Sequence, residues 1–155
     1  LWVADNRAQT IVEYVAGQLA ASGSPAPTVV LSAKDRSLVR PVALAFDRVG
    51  NLWVANSGSQ AVASFTPAQL AATGSPAPHV VLFLASGSLG VPVGLAFDRD
   101  ENLWVIGVGG ILEEFGKADL VATGAPAPSI QLALTGYTLF SGIAFSPVPP
   151  GVPLN

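Results

Sequence analysis

Three near-copies of one segment make up the chain. Leu1-Trp2-Val3-Ala4 returns as Leu52-Trp53-Val54-Ala55 and as Leu103-Trp104-Val105-Ile106, a spacing of 51 residues each time. Ser24-Pro25-Ala26-Pro27 recurs as Ser75-Pro76-Ala77-Pro78 and Ala125-Pro126-Ala127-Pro128. Ala43-Leu44-Ala45-Phe46-Asp47 recurs as Gly94-Leu95-Ala96-Phe97-Asp98 and, degraded, as Gly142-Ile143-Ala144-Phe145-Ser146. A fixed period in this range restricts the fold to repeat architectures, because each copy must bury its apolar face against the next.

The middle copy reads as four short strands. Val42–Phe46 alternates large and small side chains, the period-2 pattern of a strand. Asp47–Asn51 is a tight turn, and Leu52–Ala55 is a second strand of β-favouring residues. Asn56–Ser59 turns the chain into a third strand, Ala61–Phe65. A short helix follows, with Thr66 as N-cap, Pro67 at N1 and Gln69 closing a capping box. Phe65 and Leu70 form its hydrophobic staple, and Gly74 is expected to end it. The staple is kept as Tyr14 with Leu19 and Phe115 with Leu120, while Val15 and Gly116 replace the capping threonine. His79–Leu82 is the fourth strand.

Four antiparallel strands in a repeat of about 40–50 residues describe a β-propeller blade. A parallel β-helix competes, but its coils are usually shorter and lack a helical insert. The expected fold is all-β, with repeats spanning 1–51, 52–102 and 103–146 in a permuted blade register and 147–155 as a tail. The chain opens on a second strand, Leu1–Ala4, and closes on a first strand, Ser141–Ser146. Three blades fall short of the roughly four to eight that close a ring. The strand order therefore points to a head-to-tail C2 homodimer of six blades, each chain lending its last strand to the other's first sheet. A longer chain carrying all the blades is the competing expectation, since the N-terminus looks like a processed or fragment end.

Composition narrows the function classes. Half the residues are hydrophobic and only 11% are charged, and thirteen Pro and sixteen Gly supply many turns, so the apolar side chains must be divided among many short elements. The longest apolar stretch, Val80–Ala85, is far short of the roughly 20 residues of a membrane span. The net charge is −3, and two lysines with no basic cluster argue against nucleic-acid binding. Without cysteine there are no disulfides, thiolate nucleophiles or sulfur-ligated metals.

Pro92-Val93-Gly94-Leu95-Ala96-Phe97-Asp98 followed by Asn102-Leu103-Trp104-Val105, together with Asn51–Asn56, resembles the NHL-repeat and gluconolactonase-like propeller superfamily. The resemblance spans all three repeats. Thr66–Pro78 is similar to repeats of bacterial proteins that are often exported, which implies an extracytoplasmic location, and Pro147–Gly151 to their C-terminal tails. The superfamily includes metal-dependent lactonases, streptogramin lyases and binding scaffolds. Its lactonases hold a divalent ion in the central channel with a Glu, an Asn and an Asp, and no matching set is visible here. No catalytic residue, metal ligand or cofactor is therefore carried over. The expected role is a binding or interaction scaffold for a small molecule or protein. A channel-sited lactonase or lyase and a structural module of a larger exported protein are the alternatives.

Several residues invite a chemical reading. His79 opens a fourth strand and has no sequence partner for metal or nucleophile chemistry. Asp98-Arg99-Asp100-Glu101-Asn102 loosely resembles a calcium loop, but Asp and Asn recur at Asp47 and Asn51 without the middle carboxylate, as turn chemistry requires. Glu113 and Glu114 are adjacent on a strand, so they face opposite ways, and a solvated edge is expected for them. The loops after the second and fourth strands should line the ring's mouth. There the first repeat concentrates polar groups, Asp5, Asn6 and Arg7, then Lys34, Asp35, Arg36 and Arg40. The second adds Asn56, and the third is bare at Gly107, Gly109 and Gly110. Arg40 stands just before an innermost strand. Two copies facing each other across a channel could hold an anion.

Overall fold

The computed structural model describes residues 1–33, 37–84, 89–136 and 140–145. The described residues form eleven strands in three antiparallel sheets. The first sheet holds β1 (Trp2–Asp5), β2 (Thr10–Glu13) and β3 (Val29–Ser32). The second runs in order through β4 (Pro41–Phe46), β5 (Leu52–Asn56), β6 (Ala61–Phe65) and β7 (Val80–Phe83). The third repeats that order with β8 (Pro92–Phe97), β9 (Leu103–Gly107), β10 (Ile111–Phe115) and β11 (Ile130–Ala133). Register is conserved between them: Phe46 opposes Leu52 as Phe97 opposes Leu103, and both β4 and β8 carry an irregularity after their proline.

The sheets stack face to face, which explains why the strands lack clean polar alternation. Every residue of β5 and β6 is buried. Between sheets one and two lie Ile11, Val29 and Leu31 against Leu52, Val54, Phe65 and Leu70. Between sheets two and three lie Trp53, Val80 and Leu82 against Leu103, Val105 and Phe115. A tryptophan of each sheet meets a later phenylalanine edge to face, Trp2 with Phe46 and Trp53 with Phe97 in the next sheet and Trp104 with Phe145 beyond the last, at centroid distances of 6.5, 5.9 and 6.0 Å.

α1 (Pro67–Leu70) is built as its sequence dictates. Thr66 Oγ1 accepts from Gln69 N, and Gln69 Oε1 accepts from Thr66 N at 2.8 Å. Its counterparts at Ala16–Leu19 and Lys117–Val121 are 3-10 turns. Gly74 does not cap this helix. Ala71 occupies the C-cap, and Gly74 instead forms a parallel bridge to Leu31 in the neighbouring sheet.

Within the single chain, residues 141–145 of the expected first strand belong to no sheet, Phe145 rests on Trp104, and residue 146 lies outside the described residues. Glu113 and Glu114 are a correction, being 0% and 8% exposed rather than solvated. Among the described residues no helix is long and apolar enough to cross a membrane.

Candidate functional site

One rim of the stacked sheets carries the connections into β4 and β8 and the hairpin turns after β1, β5 and β9. Its geometry is set by backbone bonds. Arg40 has a φ of 55°, and its carbonyl accepts from Ser57 N at 3.0 Å and from Ser57 Oγ at 2.9 Å. Gly58 N donates to Val39 O at 2.9 Å. The Arg40 backbone is thus anchored while its side chain is exposed, with no ion pair among the described residues.

The other candidate rim residues divide by role. Asp5 Oδ1 accepts from Arg7 N at 2.9 Å and Ala8 N at 2.8 Å, the turn chemistry of its residue type. Arg7 is exposed on that turn and Asn6 is half-buried. Lys34, Asp35 and Arg36 lie outside the described residues. Asn56 is wholly buried: its Oδ1 accepts from Val39 N at 3.1 Å and its Nδ2 donates to Val54 O at 3.2 Å. It props the connection into β4 and offers no free amide to a ligand. Gly107, its counterpart, solves the same problem by leaving room. A Cβ there would sit 1.7 Å from Leu89 O, so only glycine fits beneath that carbonyl.

The opposite rim is built by the β4–β5 and β8–β9 turns. Asp47 Oδ1 accepts from Val49 N and Asn51 N, and its Oδ2 from Asn51 Nδ2 at 2.8 Å and Trp53 Nε1 at 3.0 Å. Asp98 repeats this with Asp100 N, Asn102 N, Asn102 Nδ2 and Trp104 Nε1. Burial pushes Asp98 upward, but the donors from Trp104, Asn102 and Asp100 outweigh it and hold the carboxyl below its ordinary 3.8. With four donors on each carboxylate, these loops need no cation to be satisfied. The described residues hold no group of three or more side chains able to bind a metal. The indole partner escaped the sequence reading, although the six-residue Asp-to-Trp spacing in two copies was its signal.

Between these turns a cleft of about 290 Å³ opens at the junction of sheets two and three. Trp53, Phe97 and Leu120 supply apolar lining, and His79, Glu101 and Lys117 polar lining. Arg48 reaches across it to Glu101, Nε to Oε1 at 3.3 Å, and donates its backbone N–H to Glu101 Oε2 at 2.9 Å. His79 and the Asp98–Asn102 loop, unrelated in sequence, meet at this cleft.

Glu113 accepts from Gln131 Nε2 at 2.8 Å inside the interface with sheet two. Glu114 is pushed up by burial and then by the Asp98 charge. No family model matches the chain, and a search of the curated proteins finds no match.

Proposed function

We propose that two copies of this chain close a six-bladed propeller head to tail, and that the ring is a scaffold binding a small anion at its Arg40 rim. The observation that carries the binding reading is Arg40 itself. Its backbone is pinned in a left-handed conformation by Ser57, and its guanidinium is exposed without an ion pair among the described residues. A cation fixed at the base and open at the tip suits bidentate capture of phosphate or carboxylate. Two copies facing one axis double that charge.

The ring reading is supported by the thrice-repeated tryptophan–phenylalanine pair, whose last member, Phe145, belongs to a segment outside any sheet. Among the described residues β1 has no inner neighbour such as β5 has in β4 and β9 has in β8. In the ring, residues 141–145 of one copy take that place beside β1 of the other, removing an exposed edge.

Titration calorimetry with inorganic phosphate and with citrate tests the binding. The expected result is saturable binding weakened about tenfold or more in Arg40→Gly, since glycine keeps the left-handed backbone without strain. Absence of binding in the unaltered chain, or equal binding in Arg40→Gly, rejects it. A native mass spectrum at twice 15.7 kDa is expected for the ring.

A further inference from the structure

Twice within the chain, the outer strand of one sheet is stitched to the segment after the helical turn of the next. Ser32 N donates to Gly74 O at 3.0 Å, and Gly74 N donates back to Val30 O at 3.1 Å. Phe83 N and Gly124 O, with Gly124 N and Val81 O, repeat this at 2.8 and 3.0 Å. A threonine adds a third bond each time: Val30 N donates to Thr73 Oγ1, and Val81 N to Thr123 Oγ1, both at 3.0 Å.

Each stitch has two halves, a strand edge and a hydroxyl residue followed by glycine, and the described residues hold one unused example of each. The edge is β11, exposed along its whole length, where β3 and β7 are bridged at Leu31 and Leu82 by Gly74 and Gly124. The pair is Ser22-Gly23, the counterpart of Thr73-Gly74, exposed and making no hydrogen bond among the described residues. The apolar faces beside them are unpaired in the same way. Leu132 is 46% exposed where its counterpart Leu82 is 0%, and Leu1 is 63% exposed where Leu52 is 0%. A groove of about 560 Å³ runs along the second face, lined by Leu1, Tyr14, Leu19, Ser22 and Gly23. Leu103, Phe115 and Leu120 occupy the equivalent positions in sheet three, and there they receive Val80 and Leu82.

We infer that this groove receives the β11 edge of a second copy of this chain. Ile130 and Leu132 enter it. By the template of the two internal stitches, Gln131 N donates to the partner's Ser22 Oγ, the partner's Gly23 N to Gln131 O, and Ala133 N to the partner's Gly23 O. The occupant is a second copy because both halves of the seam are patterns this chain already joins to each other internally. The inference rests on the ring reading above and names the contact that seals it.

A cross-link tests it. Ser32 Oγ and Ser75 Oγ lie 2.7 Å apart across the first internal stitch, and their counterparts at the seam are Ala133 and Ser24. The chain has no cysteine, so the double variant Ser24→Cys with Ala133→Cys adds the only two thiols. Side chains this close suit disulfide geometry. Mild oxidation is expected to give a covalent dimer at twice 15.7 kDa, while either single variant stays uncross-linked. Leu132→Arg, at a site half-exposed in the free chain, should keep the fold and weaken association about a hundredfold or more, because it buries an unpaired charge. A dimer of the unaltered chain without cross-linking overturns the stitch and leaves the ring. A ladder of covalent oligomers keeps the stitch and overturns the six-bladed ring. A chain that stays monomeric and uncross-linked overturns both.

Discussion

At the scale of single residues, the aspartate of each inner hairpin is the most connected polar group. Asp98 joins its own turn to the indole of Trp104, and the indole in turn packs on Phe145 in the segment beyond the third sheet. Asp98→Ala strands those donors, and a loss of roughly 2–3 kcal/mol is expected by urea denaturation. The lowered Asp98 carboxyl contributes stability above its ordinary 3.8 and loses it as pH falls through the lowered value. Glu114 has the opposite sign. Its carboxyl is raised above 4.5, so its contribution is full while protonated and is lost as pH rises through the raised value. Glu114→Gln should therefore stabilise the chain at pH 7 by on the order of 0.5 kcal/mol, a figure discounted for the partly open face of its sheet. Thermal melts at pH 7 and at pH 4 check this, since the gain should vanish at the lower value.

At the scale of elements, the three helical turns are a natural experiment in capping. Only Thr66 supplies a side-chain cap, and only its turn is α-helical. Val15 nevertheless has the same backbone, φ −76° and ψ 162° against −71° and 160°, and Gln18 Oε1 already accepts from Val15 N at 2.9 Å. One half of a capping box waits for the other. Val15→Thr is expected to stabilise by about 0.5–1 kcal/mol, and Thr66→Ala to cost a similar amount or somewhat more. Chemical denaturation of the two single variants separates these effects.

At the scale of the whole molecule, stability resides in the faces between sheets. Phe97 packs on Trp53 within a closed interface, whereas Phe46 packs on Trp2, whose strand pairs on one side only among the described residues. Phe97→Ala should cost roughly 3 kcal/mol and Phe46→Ala distinctly less in dilute solution. If two copies complete the ring, the melting temperature of the unaltered chain rises with protein concentration, as for any state stabilised by self-association. Scanning calorimetry across a hundredfold range of concentration reads this directly, and a constant Tm counts against the ring.

The strand order, the capping box at Thr66 and Gln69, and the Asp–Asn turns were all legible, because each depends on residues only a few positions apart. The period of 51 residues made the sheets equivalent, and face-to-face stacking of apolar strands followed from the hydrophobic effect alone. The charged strand residues were not legible. Glu113 and Glu114 read as solvated, yet Glu113 lies inside the interface with sheet two, held by Gln131. Gly74 read as a helix cap, yet it bonds a strand from the preceding repeat. Asn56 read as a ligand-facing amide, yet it props a connection. In each case the deciding partner is distant in the chain or on another sheet. Local pattern specifies each hairpin and turn; which surface a side chain meets depends on how neighbouring sheets are set against one another.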